Sequence, residues 1–256
     1  MGVLACGTGH SAELDLGSLQ SLAVDAESSP VPRGLVIGAV AIAYNPRYEA
    51  QSDSFLVVPG AVYFGKDLLY LGDRGRYYFY KKESGFAGFL YGRFRFGNLD
   101  PEDTPALAGM YQRKGELEAG IGANLVTPYA LLTARMASDV TNVSNGHEAL
   151  LWADFPMIAG RFLVMPGCGA IWRSSRLANY YFGGVSSGEA TASRPAHDTG
   201  STLSPMVSLV STCRLGKSWI GALAFCMERF DTDIANSPIV GHADEFTVLT
   251  GVGYIW

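Results

Sequence analysis

The last eleven residues of the chain constrain its fold more than any other segment. Phe246, Val248, Val252, Tyr254 and Trp256 share one parity, so a strand here presents a single apolar face that ends on aromatic residues. A soluble sheet could bury such a strand, but the termini of soluble domains usually fray into water. The pattern is typical of a bacterial outer-membrane barrel, whose last strand closes against its first with aromatic residues at the interface.

Composition agrees with a β-rich membrane protein. The 31 glycines, 13 tyrosines and 13 phenylalanines accompany only 17% charged residues, as expected for a barrel with aromatic girdles. The most apolar long stretch, 119–134, is interrupted by Asn124, Thr127 and Pro128, which excludes a transmembrane helix. A net charge of −5 without a basic stripe argues against nucleic acid as a partner.

Alternating hydrophobicity recurs from residue 34 to the end of the chain and predicts a series of strands. We place them at 34–45, 54–65, 67–72, 75–82, 85–97, 115–126, 128–139, 148–157, 160–173, 200–214, 217–230 and 244–256. Tight turns are predicted at Lys66, Glu83-Ser84, Thr127-Pro128, Ile158-Ala159 and Leu215-Gly216.

These tight turns alternate with longer connections at 46–53, 98–114, 140–147, 174–199 and 231–243, with one short exception at Asp73-Arg74. That alternation matches the short periplasmic turns and long extracellular loops of outer-membrane barrels. The sequence therefore predicts an all-β fold, a closed antiparallel transmembrane β-barrel of 12 strands with up-and-down topology. Two short segments within 67–82 leave ten strands as the alternative, because a spanning strand needs about 9–11 residues.

Residues 34–256 are predicted to form the barrel, and residues 1–33 an N-terminal leader or periplasmic segment. Leu4-Ala5-Cys6-Gly7 resembles a lipoprotein processing box, but no basic residue precedes Arg33. An export signal needs a charged region and an apolar core. We therefore expect either an incomplete export signal or a disordered leader.

Charged side chains on the polar faces of several strands predict an ionic lumen, because charge in mid-strand is costly against lipid. A hairpin centred near Thr127 would place Glu118 opposite Arg135. The predicted network comprises Arg93, Arg95, Glu116, Glu118, Arg135, Asp139, Asp154 and Glu228. Two interpretations stay open: a constriction that filters solutes, and an internal latch. The latch is favoured, because about a dozen strands leave little bore.

The predicted loops carry His147, His197 and His242. Their spacing matches no metal-ligand motif, and no serine or cysteine nucleophile lies beside a base. We therefore expect solvated histidines, no catalytic residues, no cofactor, no metal and no enzymatic activity.

Three motifs resemble markers of a known family. They are Asn45-Pro46-Arg47-Tyr48-Glu49-Ala50, Tyr180-Tyr181-Phe182-Gly183-Gly184-Val185 followed by Glu189-Ala190, and Ser237-Pro238-Ile239-Val240. Their order and spacing, with the aromatic end, resemble the MipA/OmpV family over residues 34–256.

The resemblance implies a monomeric barrel in the outer membrane of a Gram-negative bacterium. It also implies a scaffold for peptidoglycan biosynthesis, with a lytic transglycosylase and a bifunctional murein synthase as partners. The further partners are outer-membrane lipid and the barrel assembly machinery. That machinery is expected to recognise Gly251, Tyr254 and Trp256 as an assembly signal. The alternative is a narrow channel or a barrel that binds small molecules such as antibiotics.

Overall fold

The computed structural model describes residues 17–23, 26–49, 54–97, 99–102 and 105–256. Within them, all strands form one antiparallel sheet. The strands are β1 (Gly34–Tyr44), β2 (Ser54–Phe64), β3 (Leu68–Tyr70), β4 (Arg74–Lys81), β5 (Phe86–Arg95), β6 (Glu116–Val126), β7 (Leu131–Asp139), β8 (His147–Asp154), β9 (Met157–Ala159), β10 (Phe162–Arg173), β11 (Thr202–Arg214), β12 (Trp219–Arg229) and β13 (Asp244–Ile255).

The sheet closes on itself, because β13 pairs with β1 in a register that joins Val36 to Ile255. β8 and β9 both pair with β10 and are two parts of one barrel strand. The closed antiparallel barrel therefore has twelve strands, which confirms the prediction. The ten-strand alternative is wrong, because the short β3 pairs separately with β2 and with β4.

Two predicted turns shift by a few residues. The turn predicted at Ile158-Ala159 lies at Gly160 and Arg161, because Ile158 still pairs with Leu163 and Gly160 supplies the left-handed conformation, with φ 58°. The neighbouring Phe162 already pairs with Ala159.

The hairpin between β6 and β7 turns at Pro128-Tyr129, where the Thr127 N–H donates to Ala130 O at 2.9 Å. Proline has no N–H and a fixed φ, so it occupies the turn rather than the ladder. Glu118 therefore pairs with Asp139, and Gly122 pairs with Arg135. The predicted pairing of Glu118 with Arg135 is wrong.

The two faces of each strand differ as alternation predicts. On β6, Leu117 and Ile121 are exposed on the outer face, whereas Glu116, Glu118 and Asn124 are buried toward the lumen. The same inside-outside contrast holds around most of the barrel, so the apolar surface faces outward.

The helices are short. They are 3₁₀ turns at Gly17–Leu22 and Pro105–Leu107, α-helices at Ser175–Ala178 and Thr232–Ala235, and a π-turn at Asn179–Gly183. No helix in the described part of the chain is long and apolar enough to cross a membrane.

Part of the N-terminal segment lies inside the lumen at the end of the barrel with the short turns. Leu19, Ala23 and Val31 belong to the same buried apolar cluster as lumen-facing side chains of the barrel. Gln20 Nε2 donates to Gly65 O, at the turn after β2. This segment therefore fills the periplasmic mouth; whether residues 1–33 include an export signal stays a prediction.

Candidate functional site

A layer of buried ion pairs crosses the lumen toward the end with the long loops, and Glu148 lies at its centre. Arg135 Nη1 approaches Glu148 Oε1 at 2.6 Å, and Arg95 Nη2 approaches Oε2 at 2.6 Å. Arg93 Nη2 lies 3.2 Å from Oε2. Three guanidinium groups thus surround one carboxylate that has almost no solvent exposure, as a buried charge requires.

Glu118 bridges two arginines of the adjacent strand. Arg93 Nε donates to Glu118 Oε2 at 2.9 Å, and Arg95 Nε donates to Oε1 at 2.7 Å. Glu116 Oε1 lies 3.7 Å from Arg95 Nε, and Ser144 N donates to Glu116 Oε2 at 3.2 Å. The predicted arginines of β5 and glutamates of β6 therefore meet, with partners different from those expected.

Two further pairs extend this layer. Arg173 binds Glu228 through both oxygens, with Nη2 to Oε2 at 2.8 Å. Arg47, from the loop after β1, approaches Glu245 Oε2 at 2.7 Å. We call the whole set the charged layer: Arg47, Arg93, Arg95, Arg135, Arg173, Glu116, Glu118, Glu148, Glu228 and Glu245.

The sequence prediction missed Arg47, Glu148, Arg173 and Glu245. The parity of the strands could have identified Glu148, because it shares the inward face of β8 with Leu150, Trp152 and Asp154. A charge at the end of a predicted strand is easily assigned to a loop, where it would be solvated.

Two further predicted members, Asp139 and Asp154, accept hydrogen bonds from residues outside the charged layer. Asp139 accepts hydrogen bonds from Thr141 N at 2.7 Å and Asn145 N at 2.9 Å, so it organises the loop after β7. Asp154 is fully buried nearer the periplasmic end and accepts from Trp152 Nε1 at 2.9 Å. The membership of both residues in a lumen charge network stays a prediction, because parity fixes a face of the strand but not a depth in the lumen.

Phe182 closes the charged layer from the side of the long loops. Its ring lies 3.8 Å from Arg173 Cζ and 4.1 Å from Arg47 Cζ. The ring is buried, and its contact with two desolvated guanidinium groups is a favourable cation–π arrangement. The motif Tyr180-Tyr181-Phe182 thus enters the barrel mouth, where Tyr181 and Phe182 are buried.

The long loops pack on one another above Phe182. Tyr48, Leu99, Leu107, Met110, Val185 and Ile239 form a buried apolar cluster that we call the loop cap. Tyr48 Oη donates to Tyr181 O at 2.8 Å. Burial raises the pKa of Tyr48 above its ordinary value, although Arg47 and Arg113 partly oppose this effect.

Glu189 ties two loops of this cap together. Its Oε1 accepts from Tyr111 N at 2.9 Å and lies 2.8 Å from Arg113 Nη1, while Oε2 accepts from Ser186 N at 3.0 Å. Burial alone would raise the pKa of the carboxyl, but these donors outweigh burial and lower the pKa to about 2. The carboxylate is therefore ionised at neutral pH.

This barrel, which is blocked by ion pairs and loops, matches a known protein family. The family described as MltA-interacting protein MipA matches residues 37–256. The chain belongs to the MipA family. It is 27% identical to outer membrane protein OmpV of Vibrio cholerae over 60% of either chain. It is 24% identical to the MltA-interacting protein of Escherichia coli K12, over 56% of this chain and 57% of that protein.

The chain therefore spans about 60% of the length of these outer membrane relatives. Among solved structures, the NanC porin covers 87% of this chain and 99% of its own, at 8% identity and a TM-score of 0.42. Family and barrel together place this protein in the bacterial outer membrane.

The loop histidines of this MipA-family barrel have ordinary partners. His147 Nδ1 lies 2.9 Å from Ser138 Oγ, and His197 Nε2 lies 2.7 Å from Asp233 O. Across the described ranges, no group of three or more His, Cys, Asp or Glu side chains could hold a metal ion. That the protein is not an enzyme stays a prediction.

The aromatic residues of the predicted assembly signal lie on the outer face of the MipA-family barrel. The Tyr254 ring packs 5.4 Å from that of Trp219 and 6.1 Å from that of Trp256. Gly251 pairs with Val40 and Ala222 of the neighbouring strands. The role of Gly251, Tyr254 and Trp256 in assembly stays a prediction.

Proposed function

We propose that this protein is a scaffold that holds a murein-degrading lytic transglycosylase at the inner face of the outer membrane. The proposal rests first on the family, which is described as MltA-interacting protein, and on a distant relative of that name. A bifunctional murein synthase is the second proposed partner, so that cleavage and synthesis of the cell wall occur at one place.

The single observation that favours a scaffold over a pore is the obstructed lumen. The segment Gly17–Leu22 lies in the periplasmic mouth, the charged layer crosses the lumen above it, and the loop cap covers the other end. A solute moving along the barrel axis would have to displace all three. The accessible surfaces are then the barrel exterior and its two rims.

The periplasmic rim offers side chains for a partner in the cell-wall compartment. Tyr129, at the turn between β6 and β7, is 86% exposed, and Leu215 is exposed at the turn between β11 and β12. Tyrosine is enriched among the residues that dominate binding energy at protein interfaces. We therefore assign the docking of the transglycosylase to this rim.

The test is co-purification from native outer membranes with the full chain as bait. We expect a lytic transglycosylase to be recovered with wild type and lost or strongly reduced with Tyr129→Ser. Tyr111→Ser is the matched control, because Tyr111 is an exposed tyrosine among the long loops at the opposite end. Equal recovery with both variants, or none with wild type, would contradict the proposal.

A narrow channel is the second candidate, and the charged layer is the observation that favours it. Rings of opposite charges can select ions at a constriction. Planar-bilayer recordings of wild type and Arg135→Gln separate the candidates. Conductance that changes selectivity in the variant would favour the channel, whereas electrically silent wild-type protein favours the scaffold.

A further inference from the structure

Within the part of the chain that the structure describes, the barrel wall is incomplete beside the upper part of β2, toward the long loops. β3 pairs with β2 only at Tyr63 and Phe64. The chain then turns back at Gly72-Asp73 into β4, so the β3–β4 hairpin covers only the lower wall. Among the residues that the structure describes, none pairs with the β3-facing edge of β2 over 54–62. We call this gap between β2 and β5 the lateral window.

Strand geometry identifies which backbone groups face the lateral window. Gly65, just after β2, donates its N–H to Leu68 O, at 2.8 Å. Backbone direction alternates along a strand, so the odd-numbered residues of β2 direct their N–H and C=O toward this side. Pro59 is one of them and has no N–H, as is usual for proline at a strand edge.

The inner wall next to the window is apolar. Cross-strand register aligns three lumen-facing rows over β13, β1 and β2. The rows are Leu249–Ile42–Leu56, Gly251–Val40–Val58 and Gly253–Gly38–Gly60. Their five larger side chains are only half-buried, and no member is charged. We call this wall the apolar trough; it contrasts with the charged layer contributed mainly by the other strands.

The trough is continuous with the lipid-facing surface of the barrel. Phe55 and Val57 project outward from the same strand and are 72% and 62% exposed. An ion pair marks the lower border of the window, with Arg74 Nη2 2.9 Å from Asp73 Oδ2. Exposed backbone groups within a membrane are costly, so a polar partner at the edge of β2 is favoured.

We propose that the lateral window admits one acyl chain of an outer-membrane lipid into the apolar trough. The acyl chain packs against the half-buried aliphatic side chains of β1 and β2. This contact keeps apolar surface of both the lipid and the protein out of water. The ester, amide or hydroxyl groups of the lipid accept and donate hydrogen bonds at the edge of β2. A lipid supplies both chemistries in one molecule and lies directly beside the window.

Photo-crosslinking in native outer membranes tests where the chain lies. A benzophenone amino acid replaces Leu56 in the trough, Val57 on the outer face, or Val210 in the buried lumen wall of β11. We expect lipid adducts at positions 56 and 57 and none at 210. Lipid adducts at 57 alone, or a protein adduct at 56 indicating strand pairing by a partner, would overturn the proposal.

Lipid retention gives an independent measurement. Leu56→Trp fills the trough, whereas Val57→Trp adds the same ring to the outer face. By native mass spectrometry from detergent, we expect Leu56→Trp to retain about tenfold less lipid than Val57→Trp, since roughly two methylene groups of the chain are displaced. Equal retention would overturn the proposal. If Leu56→Trp does not fold, as judged by the loss of heat-modifiable gel mobility, the measurement uses Val58→Phe in its place.

Discussion

At the scale of single residues, Glu148 holds the charged layer together. Its two oxygens face guanidinium groups from β5 and β7, and all of these side chains are buried. Such a group adds little net stability over an apolar replacement, but removing one partner leaves buried charge without compensation. A substitution of Glu148 is therefore expected to be strongly destabilising.

We expect Glu148→Gln to lower the free energy of unfolding by about 3–5 kcal/mol, because Arg93, Arg95 and Arg135 lose their shared anion. Urea titration of the folded barrel, followed by gel mobility, measures the change. Glu83→Gln is the control, because Glu83 is exposed at a tight turn and should change stability by less than about 0.5 kcal/mol. Similar midpoints for both variants would contradict the central role of Glu148.

At the scale of elements, the loops depend on contacts between distant segments. Glu189 joins the loop after β10 to the loop after β5. Its pKa of about 2 is below the ordinary value of 4.5, so the carboxylate stabilises the loop cap at pH values above 4.5. That contribution declines as the pH falls and is lost on passing through about 2.

We therefore expect the wild-type protein to lose stability between pH 4.5 and 2 more steeply than Glu189→Gln. At neutral pH the variant should be less stable by about 1–3 kcal/mol, because buried donors lose a charged acceptor. Urea midpoints measured across this pH range test both statements. The control Glu102→Gln, in the loop after β5, should retain the wild-type dependence of the urea midpoint on pH. If the profile of Glu189→Gln runs parallel to that of wild type, the assignment is contradicted.

The strands could be predicted from the sequence and the hairpin register could not. Alternation with period two is local, so Leu117, Ile121 and their neighbours reveal the faces of β6 without knowledge of the fold. Register depends on which residues form the turn, and with the turn at Pro128-Tyr129 the partner of Glu118 is Asp139 instead of Arg135. The observed register therefore changed the expected partners of both Glu118 and Arg135.

At the scale of the whole molecule, the lumen is blocked at both ends by different parts of the chain. The segment around Leu19 fills the periplasmic mouth, and the loop cap with Phe182 closes the other. Neither obstruction depends on the other, since they lie at opposite ends of the barrel. Removing one should therefore leave the lumen closed.

We expect deletion of residues 1–33 alone, or shortening of the loop 184–200 with Phe182→Ala, to leave planar bilayers electrically silent. The combination leaves the charged layer across the lumen, so conductance is expected only when Arg173→Gln also breaks the ion pair between Arg173 and Glu228. Single-channel recording measures the outcome, and heat-modifiable gel mobility verifies folding. Conductance after the N-terminal deletion alone would contradict a lumen that the charged layer and the loop cap also close.

The sequence alone determined the barrel and the face on which the strand side chains lie, but it left the choice between twelve and ten strands open until the pairing of β3 was known. These follow from alternation and from the lengths of turns and loops, which are properties of neighbouring residues. Only the tertiary structure decided which charges meet, such as Arg93 and Glu148, which lie 55 residues apart. The depth of a side chain in the lumen depends on strand register and tilt around the closed barrel, which no local pattern records.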